Sequence, residues 1–143
     1  MKSVLITIFL ISILIFSNLA LANYFVIGSE TAKNEQVTKI ILKDIFLGKK
    51  LFWKSGERIR PTHVAVTTPS FQEFLTKVLN MDASQFLTHW RRKLFSGRGY
   101  PPKEFKKSEM IVKYIESNPE SIGIIAQLPK VTPQGVLIID IKE

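Results

Sequence analysis

The sequence predicts a single α/β domain, a three-layer-like arrangement in which helices flank a mostly parallel sheet. Four short runs of β-branched and aromatic residues alternate with segments whose apolar residues recur at helical spacing. Strands separated by helices of this length pair in parallel, and the helices cover the sheet. The chain has 143 residues, 45% of them hydrophobic, and no cysteine, so one core must form by burial alone.

The first 22 residues have the pattern of a signal peptide. Lys2 supplies the positive charge, an apolar run extends from Val4 to Phe16, and Ala20-Leu21-Ala22 fits a cleavage site of small residues. We expect cleavage after Ala22, which leaves residues 23–143 as an exported, periplasmic domain. The alternative is an uncleaved membrane anchor, because a spanning helix needs about 20 mostly apolar residues.

The first strand and the first helix are predicted directly after this segment. Tyr24 to Gly28 is a run of aromatic and β-branched residues that ends at a glycine, which favours a buried strand. Asn34 is the expected N-cap of a helix with one apolar face, and Gly48 offers the left-handed conformation that ends helices. From Leu51 to Pro61 no regular period is kept, which predicts an ordered loop.

Two helices are predicted after the second strand, which extends from Thr62 to Thr67. Pro69 suits the first position of a helix that Thr68 caps, because proline lacks the N–H that a first turn leaves unpaired. Asp82 and Gln85 have the spacing of a capping box at the start of the next helix.

The last third of the chain contributes one helix and two strands. Phe95 to Pro102 is a loop rich in glycine and proline. Ser108 is the expected cap of a helix that ends near Ser117. Strands are expected at Ile122 to Ala126 and at Val136 to Ile141.

Basic residues outnumber acidic ones, with 20 Lys and Arg against 12 Asp and Glu and a formal charge of +8. Export argues against nucleic acid as the partner and leaves phosphate-bearing small molecules, anionic lipid head groups, an acidic protein or simple solubility. Arg91, Arg92 and Lys93 concentrate the charge in the last turn of a predicted helix, where cations compensate the helix dipole. Gly97 and Gly99 in the following loop permit an anion-binding turn.

Residues suited to covalent or metal chemistry are sparse. The sequence has no Gly-x-Ser-x-Gly motif and only two histidines, His63 and His89, which we expect at the surface or its boundary. The spacings of zinc and calcium ligands are absent from it. We therefore expect no enzyme, no metal and no cofactor. An envelope hydrolase that uses His63 or His89 is the weakest alternative.

Hydroxyl groups gather where the second strand meets the next helix. Thr67, Thr68 and Ser70 stand at the carboxyl end of a strand and at a helix N-terminus, where open α/β sheets bind ligands. These three residues are the candidate ligand-binding residues. Ordinary helix capping uses the same residue types and is the alternative.

Several motifs stand in a recognisable order: Ile45-Phe46-Leu47-Gly48-Lys49, Trp53, Thr68-Pro69-Ser70 with Phe74, Trp90 to Gly97 and Pro119 to Ile124. Their order and spacing resemble those of phosphate ABC transporter substrate-binding proteins, and in particular of short members with a single lobe. The resemblance covers nearly all of residues 23–143. It implies the fold of one lobe of a type 2 periplasmic binding protein.

The same resemblance implies an oxyanion site in which Thr68 and Ser70 match the family's serine and threonine. Pro69 stands where the family has glycine and has no N–H to donate. No arginine occurs near Val64, where family members carry one that grips the ligand. These departures imply weak binding, and one lobe needs a partner or a second copy to enclose a ligand.

Two functions are expected. The first is an exported, non-enzymatic solute-binding-like domain that binds phosphate or a related oxyanion weakly and is accessory to phosphate transport. The second is a periplasmic interaction or sensory module that lost ligand binding and contacts a membrane transporter or sensor protein, or forms a homodimer. Its candidate contact residues are Trp53, Arg91, Arg92, Arg98 and Tyr100, with a position in the core as the equal alternative for Trp53.

Overall fold

The computed structural model describes residues 23–142 as a five-stranded sheet covered by helices. The strands are β1 (Phe25–Gly28), β2 (Arg60–Val64), β3 (Lys103–Phe105), β4 (Ser121–Ile125) and β5 (Leu137–Ile138). The helices are α1 (Glu30–Asn34), α2 (Lys39–Phe46), α3 (Pro69–Phe74, continued by a π-helical segment, Leu75–Leu79), α4 (Ala83–Phe95) and α5 (Ser108–Ser117). The predicted signal peptide and its cleavage site lie outside the described residues. Between residues 23 and 142, no helix is long and apolar enough to cross a bilayer.

The strand order β3-β2-β4-β1-β5 makes the sheet mixed but mostly parallel. β2 pairs in parallel with both β3 and β4. β1 is antiparallel to β4 on one side and to β5 on the other, so β5 points the same way as β2, β3 and β4. Only β1 runs in the opposite direction, which confirms the predicted α/β class with a mostly parallel sheet.

Helices cover both faces of the sheet at its centre. All residues of β4 are buried, although successive side chains of a strand point to opposite faces. α5 packs against β4 and β2, and α3 also contacts β4. Burial on both faces is typical of parallel strands in three-layer α/β domains.

Buried phenylalanines from α2, α3 and α4 form the centre of the core. Phe46 and Phe74 meet edge to face with ring centroids 4.9 Å apart, and Phe71 and Phe86 do so at 5.5 Å. Edge-to-face pairs of this kind add about 0.5–1.5 kcal/mol to the burial of the rings. These two pairs join α3 to α2 and to α4.

Three side chains of α4 fasten that helix to the end of α2. They donate hydrogen bonds to three consecutive carbonyl groups: Trp90 Nε1 to Phe46 (3.2 Å), His89 Nε2 to Leu47 (3.0 Å) and Lys93 Nζ to Gly48 (3.0 Å). The end of an α-helix leaves such carbonyl groups without partners. Gly48 has a φ of +67°, as predicted for the residue that ends α2. Trp90 and Lys93 thus have a structural role that is independent of any ligand.

The capping box predicted for α4 is confirmed. The Gln85 amide donates to the Asp82 carboxylate at 2.8 Å, and the Asp82 amide donates to the Gln85 side chain at 2.9 Å. The cap predicted at Asn34 is wrong, because Asn34 ends the short helix α1 and Gln36 then adopts a φ of +51°. Thr38 caps α2 instead, with its hydroxyl accepting from the Ile41 amide at 3.2 Å.

The bounds of the four predicted strands differ from those in the structure. β1 starts one residue after Tyr24, β2 starts and ends earlier than Thr62 to Thr67, β4 lies one residue before Ile122 to Ala126, and β5 is shorter than Val136 to Ile141. β3 is not predicted at all, because Lys103 and Glu104 are exposed at the edge of the sheet and no apolar pattern marks the strand.

Candidate anion-binding cleft

A cleft lies where the carboxyl ends of β2, β3 and β4 meet the beginnings of α3 and α5. Its volume is about 340 Å³. It is lined by Val64, Thr68, Lys106, Lys107, Ser108, Glu109, Ala126 and Gln127. Open α/β sheets bind ligands beyond the carboxyl ends of their strands, so the cleft occupies the position at which the sequence predicts a ligand.

Ser108 joins the start of α5 to the end of β4. Its hydroxyl oxygen accepts from the Ala126 amide at 3.1 Å and from the Gln127 amide at 3.3 Å. The N-cap of α5 is Lys107, so the sequence-based assignment of Ser108 as the cap is wrong by one residue. Because Ser108 is buried and its oxygen is used internally, it shapes the cleft rather than offering a free acceptor.

The loop between β2 and α3 uses its own hydrogen-bond donors. The Thr68 hydroxyl and the Thr68 amide both donate to the Ala65 carbonyl, at 2.7 and 2.9 Å. Thr68 occupies the N-cap position of α3 as predicted, with Pro69 following it, but its side chain makes no capping hydrogen bond. The Val66 amide donates to the Glu104 carboxylate at 2.9 Å. An anion at this loop would compete with those bonds.

Lys106 and Lys107 are the cations of the cleft. Both are exposed, and neither forms an ion pair with a carboxylate in the described part of the chain. Glu109 is the one acidic residue in the lining. The cleft therefore carries a net positive charge at the start of α5, where the helix dipole also favours an anion.

The three predicted ligand-binding residues are not all brought to the cleft. Thr68 lines it, whereas Thr67 is exposed outside its lining and Ser70 is buried in α3. Lys106 and Lys107 were missed, although they directly precede the predicted helix at Ser108. Their position at the sheet depends on β3, which the sequence did not reveal.

Four of the five predicted contact residues are at the surface. Arg91, Arg92, Arg98 and Tyr100 are exposed, and 79% of Tyr100 is accessible. Trp53 is corrected to a core residue, because only 2% of it is exposed and its indole N–H donates to the Glu120 carbonyl at 2.8 Å. A partner has no access to a side chain in this position.

The two histidines are engaged inside the fold. The prediction of a surface or boundary position is wrong for His63, whose ring is buried and stacks on Phe71 with centroids 4.1 Å apart. His63 Nδ1 lies 2.6 Å from the Val64 carbonyl and donates to it. His89 is half-buried at the end of α2, as described above. Within residues 23–142, no group of three or more acidic or histidine side chains is arranged to hold a metal ion.

Burial of His63 makes stability depend on pH. Burial lowers the pKa of His63 below its usual 6.5, although the Val64 carbonyl and Glu104 act in the opposite direction. Near pH 6.5, His63 therefore binds a proton in the unfolded chain but not in the folded chain. Stability falls as the pH drops from there towards the lower pKa that His63 has in the folded chain. We expect urea unfolding to show a loss of stability as the pH falls below 6.5, with a slope of at most about 1.4 kcal/mol per pH unit for one proton. His63→Phe removes this dependence and His89→Gln keeps it; equal slopes in all three proteins would contradict the assignment.

Comparison with known proteins identifies the fold class. No family model matches the sequence, and no curated protein is similar enough to match it. PstS from Borrelia burgdorferi is similar in structure, with a TM-score of 0.54 and 17% identity over 72% of this chain and 40% of that chain. An ABC-type phosphate transport receptor from Vibrio cholerae is similar with a TM-score of 0.51 and 13% identity, over 83% of this chain and 46% of that one.

These similarities confirm the predicted resemblance at the level of the fold. The domain has the α/β fold of one lobe of the phosphate ABC transporter substrate-binding proteins. The chain spans less than half the length of either solved structure.

Proposed function

We propose that this chain is an exported, non-enzymatic solute-binding-like domain that binds phosphate or a related oxyanion weakly and is accessory to phosphate transport. The observation that carries the proposal is the cleft at the carboxyl ends of β2, β3 and β4, where Lys106 and Lys107 stand beside the start of α5. The fold of phosphate transport proteins supports it. Export is inferred from the signal-peptide pattern of residues 1–22.

Weak binding follows from the donors that the cleft lacks. Pro69 offers no N–H at the start of α3, and the hydroxyl and amide of Thr68 already donate to Ala65. The lysines are exposed to water, which screens their attraction for an anion. Glu109 opposes that attraction from the wall of the cleft. One lobe also leaves a bound anion open to solvent on one side.

Titration calorimetry with inorganic phosphate tests the proposed site. The double variant Lys106→Ala/Lys107→Ala is expected to raise Kd about tenfold, because each exposed charge pair contributes up to about 1 kcal/mol. Glu109→Gln is expected to lower Kd about threefold by removing the opposing charge. Lys113→Ala is the matched control, since Lys113 is exposed on α5 outside the lining of the cleft.

Two outcomes would contradict phosphate binding at the cleft. No heat and no thermal shift with millimolar phosphate, sulfate or arsenate would remove ligand binding from the proposal. An equal effect of Lys113→Ala and of the cleft lysines would mean that phosphate responds to overall charge and not to this cleft.

An interaction or sensory module that lost ligand binding is the second candidate. The exposed cluster of Arg91, Arg92, Arg98 and Tyr100 favours it, and so does the internal use of the hydroxyl and amide of Thr68. A transporter or sensor subunit in the membrane, or a second copy of the chain, is the partner in this case. Charge reversal at Arg91 and Arg92 that leaves growth on limiting phosphate and partner capture unchanged would count against it.

A further inference from the structure

The end of α4 carries an apolar surface that the proposed cleft does not use. We define the α4 tip as residues 94–100. Within it, Phe95 is 85% exposed and Tyr100 is 79% exposed, and Leu94 is nearly half exposed. Three large apolar side chains exposed within seven residues of the chain favour contact with an apolar partner.

The backbone of the α4 tip forms a hydrogen-bonded turn. The Ser96 amide donates to the Arg92 carbonyl at 3.1 Å, and the Arg98 amide donates to the Lys93 carbonyl at 2.9 Å. Gly97 has a φ of +68°, and a β-carbon placed there would meet no atom within 4 Å. The turn is thus held by its own backbone hydrogen bonds and leaves open space at Gly97.

Cationic side chains stand close to these residues in the sequence. Arg91, Arg92 and Arg98 are exposed and form no ion pair with any carboxylate between residues 23 and 142. A groove of about 700 Å³ runs beside the tip, with Arg92, Lys93, Ser96 and Arg98 in its lining. No aspartate or glutamate lines this groove. The surface therefore combines apolar rings with uncompensated positive charge.

We propose that the α4 tip docks the domain on an anionic phospholipid bilayer. Phe95 and Tyr100 enter the interface between head groups and acyl chains, where aromatic rings are favoured, and Arg91, Arg92 and Arg98 meet the lipid phosphates. The groove beside the tip accepts head groups through its arginines and Ser96. Net positive charge over the whole chain attracts it to a negatively charged membrane surface.

The charge of the tip favours an anionic bilayer as the partner. A fluid bilayer accepts exposed apolar side chains without preformed pockets, and its phosphates supply the opposite charge that the arginines lack within the described chain. This inference is independent of phosphate binding at the cleft.

Vesicle co-sedimentation tests the docking surface. The full chain, expressed with its own N-terminal segment, is compared on phosphatidylcholine vesicles and on vesicles with about one-third phosphatidylglycerol. We expect binding to the anionic vesicles to be stronger and to decrease with salt. An uncleaved apolar N-terminal segment would bind both kinds of vesicle. The difference in binding between the two therefore measures the contribution of the α4 tip.

Paired variants separate the tip from overall charge and hydrophobicity. Arg92→Ala/Arg98→Ala is expected to weaken anionic binding about 25-fold, at about fivefold per arginine. Phe95→Ser/Tyr100→Ser is expected to weaken it about tenfold. The controls Arg58→Ala/Lys113→Ala and Ile40→Ser remove the same charge and an equally exposed apolar side chain elsewhere. The controls are expected to weaken binding much less than the tip variants do.

Three results would overturn the proposal. They are equal binding to neutral and anionic vesicles, equal effects of tip and control variants, and a photo-reactive phenylalanine analogue at position 95 that crosslinks in cells to one protein instead of phospholipid. Melting temperatures of all variants are measured first, and they are expected to be unchanged because the altered side chains are exposed. Failure of phosphate to bind leaves these outcomes unaffected.

Discussion

Trp90→Ala is expected to lower the free energy of unfolding by about 3–5 kcal/mol, a large share of the 5–15 kcal/mol typical of a domain. Only 5% of Trp90 is exposed, and its ring lies against Gly48, where a β-carbon would come within 2.7 Å of it. The variant leaves a cavity between α2 and α4 and removes the donor to the Phe46 carbonyl. Both losses weaken the contact between α2 and α4.

Urea unfolding followed by the fluorescence of Trp53 measures this effect, since Trp53 is the other of the two tryptophans. Trp90→Phe keeps most of the apolar volume but not the N–H. We expect it to lower the free energy of unfolding by about 1 kcal/mol more than a substitution at an exposed position does. Arg91→Ala, next to it but exposed, is expected to change stability by less than about 0.5 kcal/mol. If Trp90→Ala and Arg91→Ala proved equally mild, α4 would not be fastened to α2 as described.

Gly123→Val is expected to destabilise the domain by about 3 kcal/mol through steric conflict in the middle of β4. A β-carbon at Gly123 would lie 2.6 Å from Ile111 Cγ2 and 2.8 Å from the Thr62 hydroxyl oxygen. The strand and α5 approach each other here more closely than any side chain permits. Gly123→Ala is expected to have a smaller effect in the same direction, about 1–3 kcal/mol.

A double-mutant cycle with Ile111→Ala identifies the cause. That substitution removes the methyl group nearest to Gly123, so the double variant Gly123→Ala/Ile111→Ala is expected to lose less stability than the two single variants together. Thermal or urea unfolding of the four proteins provides the comparison. Strict additivity would show that the conflict lies elsewhere in the strand.

Local signals in the sequence were sufficient for the features that short-range hydrogen bonds determine. The capping box of Asp82 and Gln85 depends on residues three positions apart, and the structure contains both of its bonds. Gly48 ends α2 because its own backbone adopts the left-handed conformation, which glycine favours. The periodic apolar faces of α2, α4 and α5 likewise require only their own residues.

Features that depend on residues distant in the sequence could not be predicted from local signals. β3 is a strand only because β2 pairs with it, and the side chains of Lys103 and Glu104 carry no apolar signal. Lys106 and Lys107 reach the cleft as a consequence of that pairing. Ser108 has a residue type suited to a cap, but its oxygen is taken by amides that follow β4. Tertiary contacts therefore determine whether Ser108 caps the helix or accepts hydrogen bonds from these amides.

The place of β1 in the sheet has a consequence for biosynthesis. β1 precedes the other four strands in the chain, yet both of its neighbours, β4 and β5, are the last two of the five, and Phe25 pairs with Ile125. The hydrogen-bonding groups of β1 and the apolar side chains of Val26 and Ile27 therefore stay without native partners until the ribosome has made about 100 further residues. Such distant pairing slows folding. A growing chain that stays open for so long remains available to chaperones, which bind unfolded polypeptide.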